Sequence, residues 1–360
     1  MTNDSFAVPT VDISPYLTEA SEANASQRAE VAAQLDRACR EVGFIQIVGH
    51  GVDVSLTDGL ASALDEFFAL EDDTKARYRK VDGSNRGYTP PKSASLSMSL
   101  GIPPANMMND FYEAFTIGRE AAYYTGTDLP EKTYPRNAWP TESPSFRSAV
   151  ERYVDEITGV SRAILRAFAD ALGVGRPFFE SVTDHSIDTL KMNNYALPEM
   201  PVDFADELTG MGEHTDFGIL TVLWADRVAG LQILDKDGVW HDVMPDEGAF
   251  LVNLGDAMAR WTNDQWRSTI HRVNPPITGG HVQRRRSVAF FLDGNYDAVI
   301  EPIGTFVAEG EELYPPITIE ENINAKLAGL QLGKKPANAD REASRVLAAQ
   351  SAGRAQGQSL

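Results

Sequence analysis

The chain has 360 residues, of which 42% are hydrophobic and 23% charged, and it carries a net charge of -20. That length is ample for a large buried core, and that charge repels nucleic acid and anionic membranes as partners. The single cysteine, Cys39, excludes an internal disulfide and a thiolate zinc cluster and fits a reducing compartment.

The opening MTNDSFAVPTVDIS has no basic segment followed by an apolar one, and no apolar run is long enough to span a bilayer. A soluble cytoplasmic protein is therefore expected. Val8 to Ile13 predicts a short strand, and residues 26–42 have apolar positions at helical spacing with Ser26 as the expected N-cap. Gly43 ends that helix, FIQIVGHGV (44–52) predicts a buried strand and turn, and a second helix is expected over 54–70. Residues 82–106, rich in Gly, Pro and Ser, predict a loop, and 143–172 a long amphipathic helix closed by Gly173. From about residue 187 the texture changes to short β-like runs: TLKMNNYAL, ILTVLWA, GLQILD, VWHDVM, AFLVNL, STIHRV and RSVAFFL. Strands so evenly spaced argue for a sandwich or a jelly roll. The tail from Gly333 is polar and Ala-rich, expected to be mobile or a solvated helix.

One stretch, GEHTDFGILTVLW (212–224), puts His214 and Asp216 two residues apart at the head of an apolar strand. In a strand, such residues share a face, roughly 7 Å apart at the backbone. Two ligands hold a transition metal poorly, and among six histidines His271, in STIHRV, is the best placed third. Two imidazoles and a carboxylate on one side of an ion form the facial triad of non-haem Fe(II) oxygenases, with positions left open for a cosubstrate and dioxygen. A hydrogen-bonded turn is the plainer alternative for His-x-Asp alone.

In RRRSVAFFL (284–292), Arg285 and Ser287 again share a face, with Arg286 on the other. An inward-facing guanidinium needs a partner, and a carboxylate matches its fork. The far carboxylate of 2-oxoglutarate fits, while a basic solvent-facing edge strand is the alternative. Asn193 and Tyr195 (in KMNNYALP) share a face in the same way, suited either to the same ligand or to bracing a strand edge.

Together HTDFG, NLGDAMARWTNDQWRSTIHRV and RRRSVAFFL, with VPTVDIS and CREVGFIQIVGHGV near the amino terminus, resemble the isopenicillin N synthase-like family of 2-oxoglutarate/Fe(II)-dependent oxygenases over about residues 7–330. The resemblance implies a mainly β fold with flanking helices, its core a double-stranded β-helix (a cupin-like jelly roll). It implies an amino-terminal helical and strand region over 1–120, a catalytic core with the long helix over 121–330, and a polar tail over 331–360. It implies that His214, Asp216 and His271 bind Fe(II), and that Arg285, Ser287, Tyr195 and Asn193 contact 2-oxoglutarate. The implied reaction consumes O2 and 2-oxoglutarate, releases succinate and CO2, and hydroxylates, desaturates or cyclises a small organic molecule. The alternatives are an Fe(II) oxidase of the isopenicillin N synthase type, which keeps an Arg-x-Ser pair yet needs no 2-oxoglutarate, and a non-catalytic jelly-roll binding protein.

Family members build the substrate pocket from the loop after the second helix, the His-x-Asp region and the carboxy-terminal segment. Here that points to Arg86, Tyr88, Met107, Met108, Phe111, Tyr112, Phe217 and Phe291, the aromatic and Met side chains being equally suited to ordinary core. His50 reads as structural, His241 and His281 as solvent-facing, and His185 as without a partner. The Gly-Asp pair at 255–256 reads as turn chemistry, and Asp264 as a loop brace.

Overall fold

The computed structural model describes residues 6–79, 85–91, 93, 96–100, 110–196, 210–275, 277–278, 281–311 and 314–332. Its strands are β1 (Thr10–Asp12), β2 (Phe44–Val48), β3 (Gly87–Thr89), β4 (Glu113–Gly118), β5 (Thr189–Tyr195), β6 (Met211–His214), β7 (Leu220–Ala225), β8 (Leu231–Leu234), β9 (Trp240–Asp242), β10 (Phe250–Leu254), β11 (His271–Val273), β12 (Ile277–Thr278), β13 (His281–Val282), β14 (Arg285–Leu292), β15 (Val299–Ile300) and β16 (Ile317–Thr318). The helices are α1 (Ala25–Glu41), α2 (Val54–Phe68), α3 (Asp72–Ala76), α4 (Pro144–Leu172), α5 (Arg176–Ser181), α6 (Asp256–Trp261) and α7 (Ile319–Leu332).

Two sheets face each other as a jelly roll. The larger has the order β1-β2-β10-β7-β14-β5-β4-β3, and the smaller β6-β11-β8-β9. Strands from the amino-terminal 120 residues thus complete the large sheet at both edges. β4, which sequence patterning passed over, pairs along its length with β5, from Glu113 opposite Asn194 to Gly118 opposite Thr189.

Alternation along the central strands separates two environments. Leu190 and Met192 of β5, Val288 and Phe290 of β14, Val222 of β7 and Val252 of β10 face the core that α4 covers with Ile157, Ile164 and Phe168. Their alternates, including Asn193, Tyr195, Arg285 and Ser287, face a cavity between the sheets. The basic edge-strand alternative for RRRSV fails because β14 lies between β7 and β5. Arg286, on the outer side, is discharged by Asp226 and Asp65.

Local signals account for some helix ends. Asp53 caps α2 by accepting from Ser55 N–H at 2.8 Å. Gly173 ends α4 at φ 69°, a left-handed conformation suited to glycine. For α1 the cap residue is Asn24, not Ser26, and its side chain makes no capping bond; it is spent on Thr18 and Glu19. Among the described residues, no helix is long and apolar enough to cross a membrane.

The carboxy-terminal α7 is fastened by polar groups to the β6–β7 connection and to α6. Asn322 Nδ2 donates to the Phe217 carbonyl at 3.0 Å, and Lys326 Nζ lies 2.9 Å from Asp256 Oδ2, with side chains only 2% and 5% exposed. Removing one member of a buried pair strands the other charge. Lys326→Met should therefore cost about 3 kcal/mol of unfolding free energy in urea. A loss below about 0.5 kcal/mol would mean that the pair does not hold α7.

Candidate active site

His214 closes β6, and His271 opens β11 directly opposite it. Asp216 is not on a strand with His214, as the His-x-Asp spacing suggested; it lies in the connection between β6 and β7. Convergence comes from a strand pair and a loop rather than from one strand face. Asp216 Oδ1 is 3.9 Å from His214 Nε2 and 3.8 Å from His271 Nε2, and one ligand atom from each residue lies within 4.8 Å of the others.

Backbone carbonyls orient both rings. His214 Nδ1 bonds Gly212 O at 2.8 Å and His271 Nδ1 bonds Thr269 O at 3.0 Å, which puts the proton on Nδ1 and leaves Nε2 free to ligate. On Asp216, Thr221 Oγ1 and Asn253 Nδ2 both donate to Oδ2, leaving Oδ1 toward the imidazoles. Burial opposes the Asp216 carboxylate, but the two imidazoles and these donors outweigh it and hold its pKa low. Burial, reinforced by His271, pushes the His214 imidazole well below its usual range, so it is neutral and fit for a metal at neutral pH.

Asp256 is more than turn chemistry. Its N–H donates to Asp216 O at 2.8 Å, and its carboxylate accepts from Thr215 at 3.2 Å and Ser268 at 2.7 Å besides pairing with Lys326. One side chain thus fastens the segments carrying Asp216 and His271.

The triad opens into a cavity of about 690 Å³. Arg285, Ser287, Asn193 and Tyr195 line it together, brought level by the β5–β14 register, which sets Arg285 opposite Tyr195 and Ser287 opposite Asn193. Arg285 is only 2% exposed, yet its Nε and Nη1 reach no acceptor among the described residues. Asn193 Oδ1 is likewise without a partner, while its Nδ2 donates to Ser287 at 3.3 Å. A buried guanidinium with two nitrogens unanswered is costly unless an anion meets it, so this end of the cavity fits a carboxylate.

Tyr112, Phe217 and Phe291 also line the cavity. Tyr88, Phe111 and Arg86 do not. Tyr88 faces the helical core, bonding Glu113 at 2.7 Å, and Phe111 packs behind Tyr195. The Arg86 guanidinium is turned to Asn85 and the face of Gly118, where no side chain opposes it. Met107 and Met108 lie outside the described residues, as does the His281 side chain. His50 braces Gly248 O at 2.8 Å, and Asp264 accepts from Tyr314. His185 does have partners, Asp184 and Asp297, and His241 is paired with Asp235 and stacked on Phe6 rather than solvent-facing.

Sequence patterning passed over Lys191, Thr221, Asn253 and Asp293, all in the cavity wall. Parity was an available signal for two of them, since Lys191 stands two before Asn193 and Asp293 an even eight after Arg285. Lys191 Nζ donates to the Tyr112 hydroxyl at 2.7 Å, and burial pushes its pKa down to about 8. An unfolded chain keeps that proton up to about pH 10.4. Stability therefore falls as pH drops through this window and is level below it. Lys191→Met should melt higher than the parent at pH 7, with the gain shrinking above about pH 8 and gone near 10.4; a parent that melts higher at pH 7 would contradict it.

The 2OG-Fe(II) oxygenase superfamily model matches residues 187–294, and the model of the non-haem dioxygenase in morphine synthesis N-terminal region matches residues 8–142. The 2-oxoglutarate-Fe(II) type oxidoreductase hxnY of Emericella nidulans is 34% identical over 324 residues, 88% of each chain. Validamycin A dioxygenase of Streptomyces hygroscopicus is 31% identical over 89% of this chain and 86% of its own. A full-length Neurospora crassa protein, crystallised in complex with alpha-KG and thymine, superposes with a TM-score of 0.76 at 27% identity, covering 91% of this chain and 98% of that one. Motif, fold and relatives agree, and the chain belongs to the 2-oxoglutarate/Fe(II)-dependent oxygenase superfamily.

Proposed function

We propose that His214, Asp216 and His271 hold the Fe(II) of this oxygenase, and that Arg285 and Ser287, with Tyr195 and Asn193 beside them, hold its 2-oxoglutarate. The observation that carries the assignment is the pair of unanswered Arg285 nitrogens in the cavity that also contains the triad. When bound, iron with 2-oxoglutarate and O2 supplies the oxidising chemistry, giving succinate, CO2 and a hydroxylated, desaturated or cyclised product. The chain's own groups position and exclude. Thr221 and Asn253 keep Oδ2 of Asp216 engaged so that only Oδ1 is offered. Phe217, Phe291 and Leu223 give the cavity dry walls, which suits a small organic substrate. We place the protein in the cytoplasm, on its acidity and its single buried thiol.

The deciding experiment is an anaerobic titration with Fe(II) and then 2-oxoglutarate, following the visible charge-transfer band. Arg285→Ala should need at least about tenfold more 2-oxoglutarate, and Asp216→Ala should lose iron binding. A band unchanged by Arg285→Ala would remove the cosubstrate assignment. Asn253→Leu, which takes one donor from Asp216, should weaken Fe(II) binding about tenfold or more while leaving the fold intact; unchanged affinity would mean that Thr221 alone positions the carboxylate.

A further inference from the structure

Two groups able to carry opposite charges stand in the wall of this cavity without pairing with one another. Asp293, directly after β14, is 8% exposed and lines the cavity. Its carboxylate is seated against Gly218, where a Cβ would come within 2.2 Å of Oδ1. Among the described residues, that carboxylate accepts no hydrogen bond and forms no ion pair; the bond Asp293 makes is through its N–H, to Asp188. Arg86 favours the Asp293 carboxylate electrostatically but forms no ion pair with it, its Nη1 donating to Asn85. Lys191 is the other charge, and its one side-chain partner is the neutral Tyr112 hydroxyl, which answers one of three donors. No ion pair joins Lys191 to Asp293.

Leaving two such groups apart in a low-dielectric wall is expensive, whereas a ligand that meets both recovers the cost. In the ligand-free cavity, burial drives Asp293 well above and Lys191 below their ordinary pKa values, each toward its neutral form. Both lie along the strands from Arg285, Lys191 two residues before Asn193 on the same face. Lys191 is opposite Ala289 in the β5–β14 register, four residues along from Arg285, and Asp293 lies four residues further, about 13 Å of strand.

We propose that the substrate is a dipolar small molecule, with a cationic nitrogen (amine or amidine) held by Asp293 and an anionic or strongly accepting oxygen held by Lys191. The proposal rests on the 2-oxoglutarate assignment above, because it takes Arg285 as already occupied. Lys191 and Asp293 then determine specificity, and the apolar walls between them receive the carbon skeleton.

The test uses the full chain loaded anaerobically with Fe(II) and saturating 2-oxoglutarate, with calorimetric titration by matched probes. These are 5-aminopentanoate and 8-aminooctanoate, the corresponding alkylamines, the corresponding carboxylates, and the neutral alcohols. The better dipolar probe should bind at least tenfold more tightly than its amine or acid alone. Asp293→Asn should weaken amine-bearing probes at least tenfold and leave simple carboxylates unchanged, and Lys191→Met should do the reverse. Equal binding of dipolar and neutral probes, or a ranking unchanged in both variants, would overturn the proposal. So would loss of 2-oxoglutarate binding in Asp293→Asn alone, which would make that residue a positioning group for the cosubstrate. Failure of the parent protein to bind 2-oxoglutarate at all would instead overturn the underlying assignment, so the two failures are distinguishable.

Discussion

The carboxylate of Asp256 is the constraint on which the rest of the site depends. It is buried, and it gathers a hydroxyl from beside Asp216, a hydroxyl from the segment leading to His271, and the ammonium of Lys326 on α7. Its N–H adds a bond to the Asp216 carbonyl. Sheet pairing brings His214 and His271 together, but Asp216 lies on a connection, where strand geometry does not set its position. Asp256 supplies that constraint, and because Lys326 completes its charge balance, the carboxy-terminal helix becomes part of the support for the triad.

Within the cavity, polar groups fall into two kinds. Those around Asp216 and the histidines are answered, each by a named donor or carbonyl, and this is what holds ligand atoms in place before a metal arrives. Those farther along the strands, Arg285, Lys191 and Asp293, are answered poorly or not at all. A stability-driven fold would pair or replace them; burying them unanswered lowers stability in the empty enzyme and favours ligands that complement them. The position of each along β5 and β14 then sets the order in which ligand groups can lie, with the carboxylate site proposed at Arg285 at one end and Asp293 at the other.

The rest of the wall is mixed, with Phe44, Leu223, Leu231 and Phe291 beside Thr116, Thr189 and Thr215. The triad and Arg285 stand on paired strands or their immediate connections, whereas Asn85, Thr89, Ser93 and the α7 residues Ile323 and Leu327 reach the cavity from peripheral segments. Substrate preference can change there without disturbing the metal-binding geometry.

Much of the site was legible because strand alternation is a local property. A period of two puts Arg285 with Ser287 and Asn193 with Tyr195 whatever surrounds them, and the same parity contains Lys191 and Asp293. Parity cannot say which of two faces is the inner one; Tyr88, expected at the pocket from the family's loop after the second helix, faces the helical core instead. Nor can it describe a loop: His214 and Asp216 do converge, but through a β6–β11 pair and the Asp256 bonds rather than a shared strand face. Sequence by itself determined the strand texture and which groups of β5 and β14 share a face, since each depends on neighbours a few residues away. Only the tertiary structure decided that Lys191 and Asp293, distant in sequence, border one cavity unpaired, because that depends on strand order and on which other charges are near enough to neutralise them.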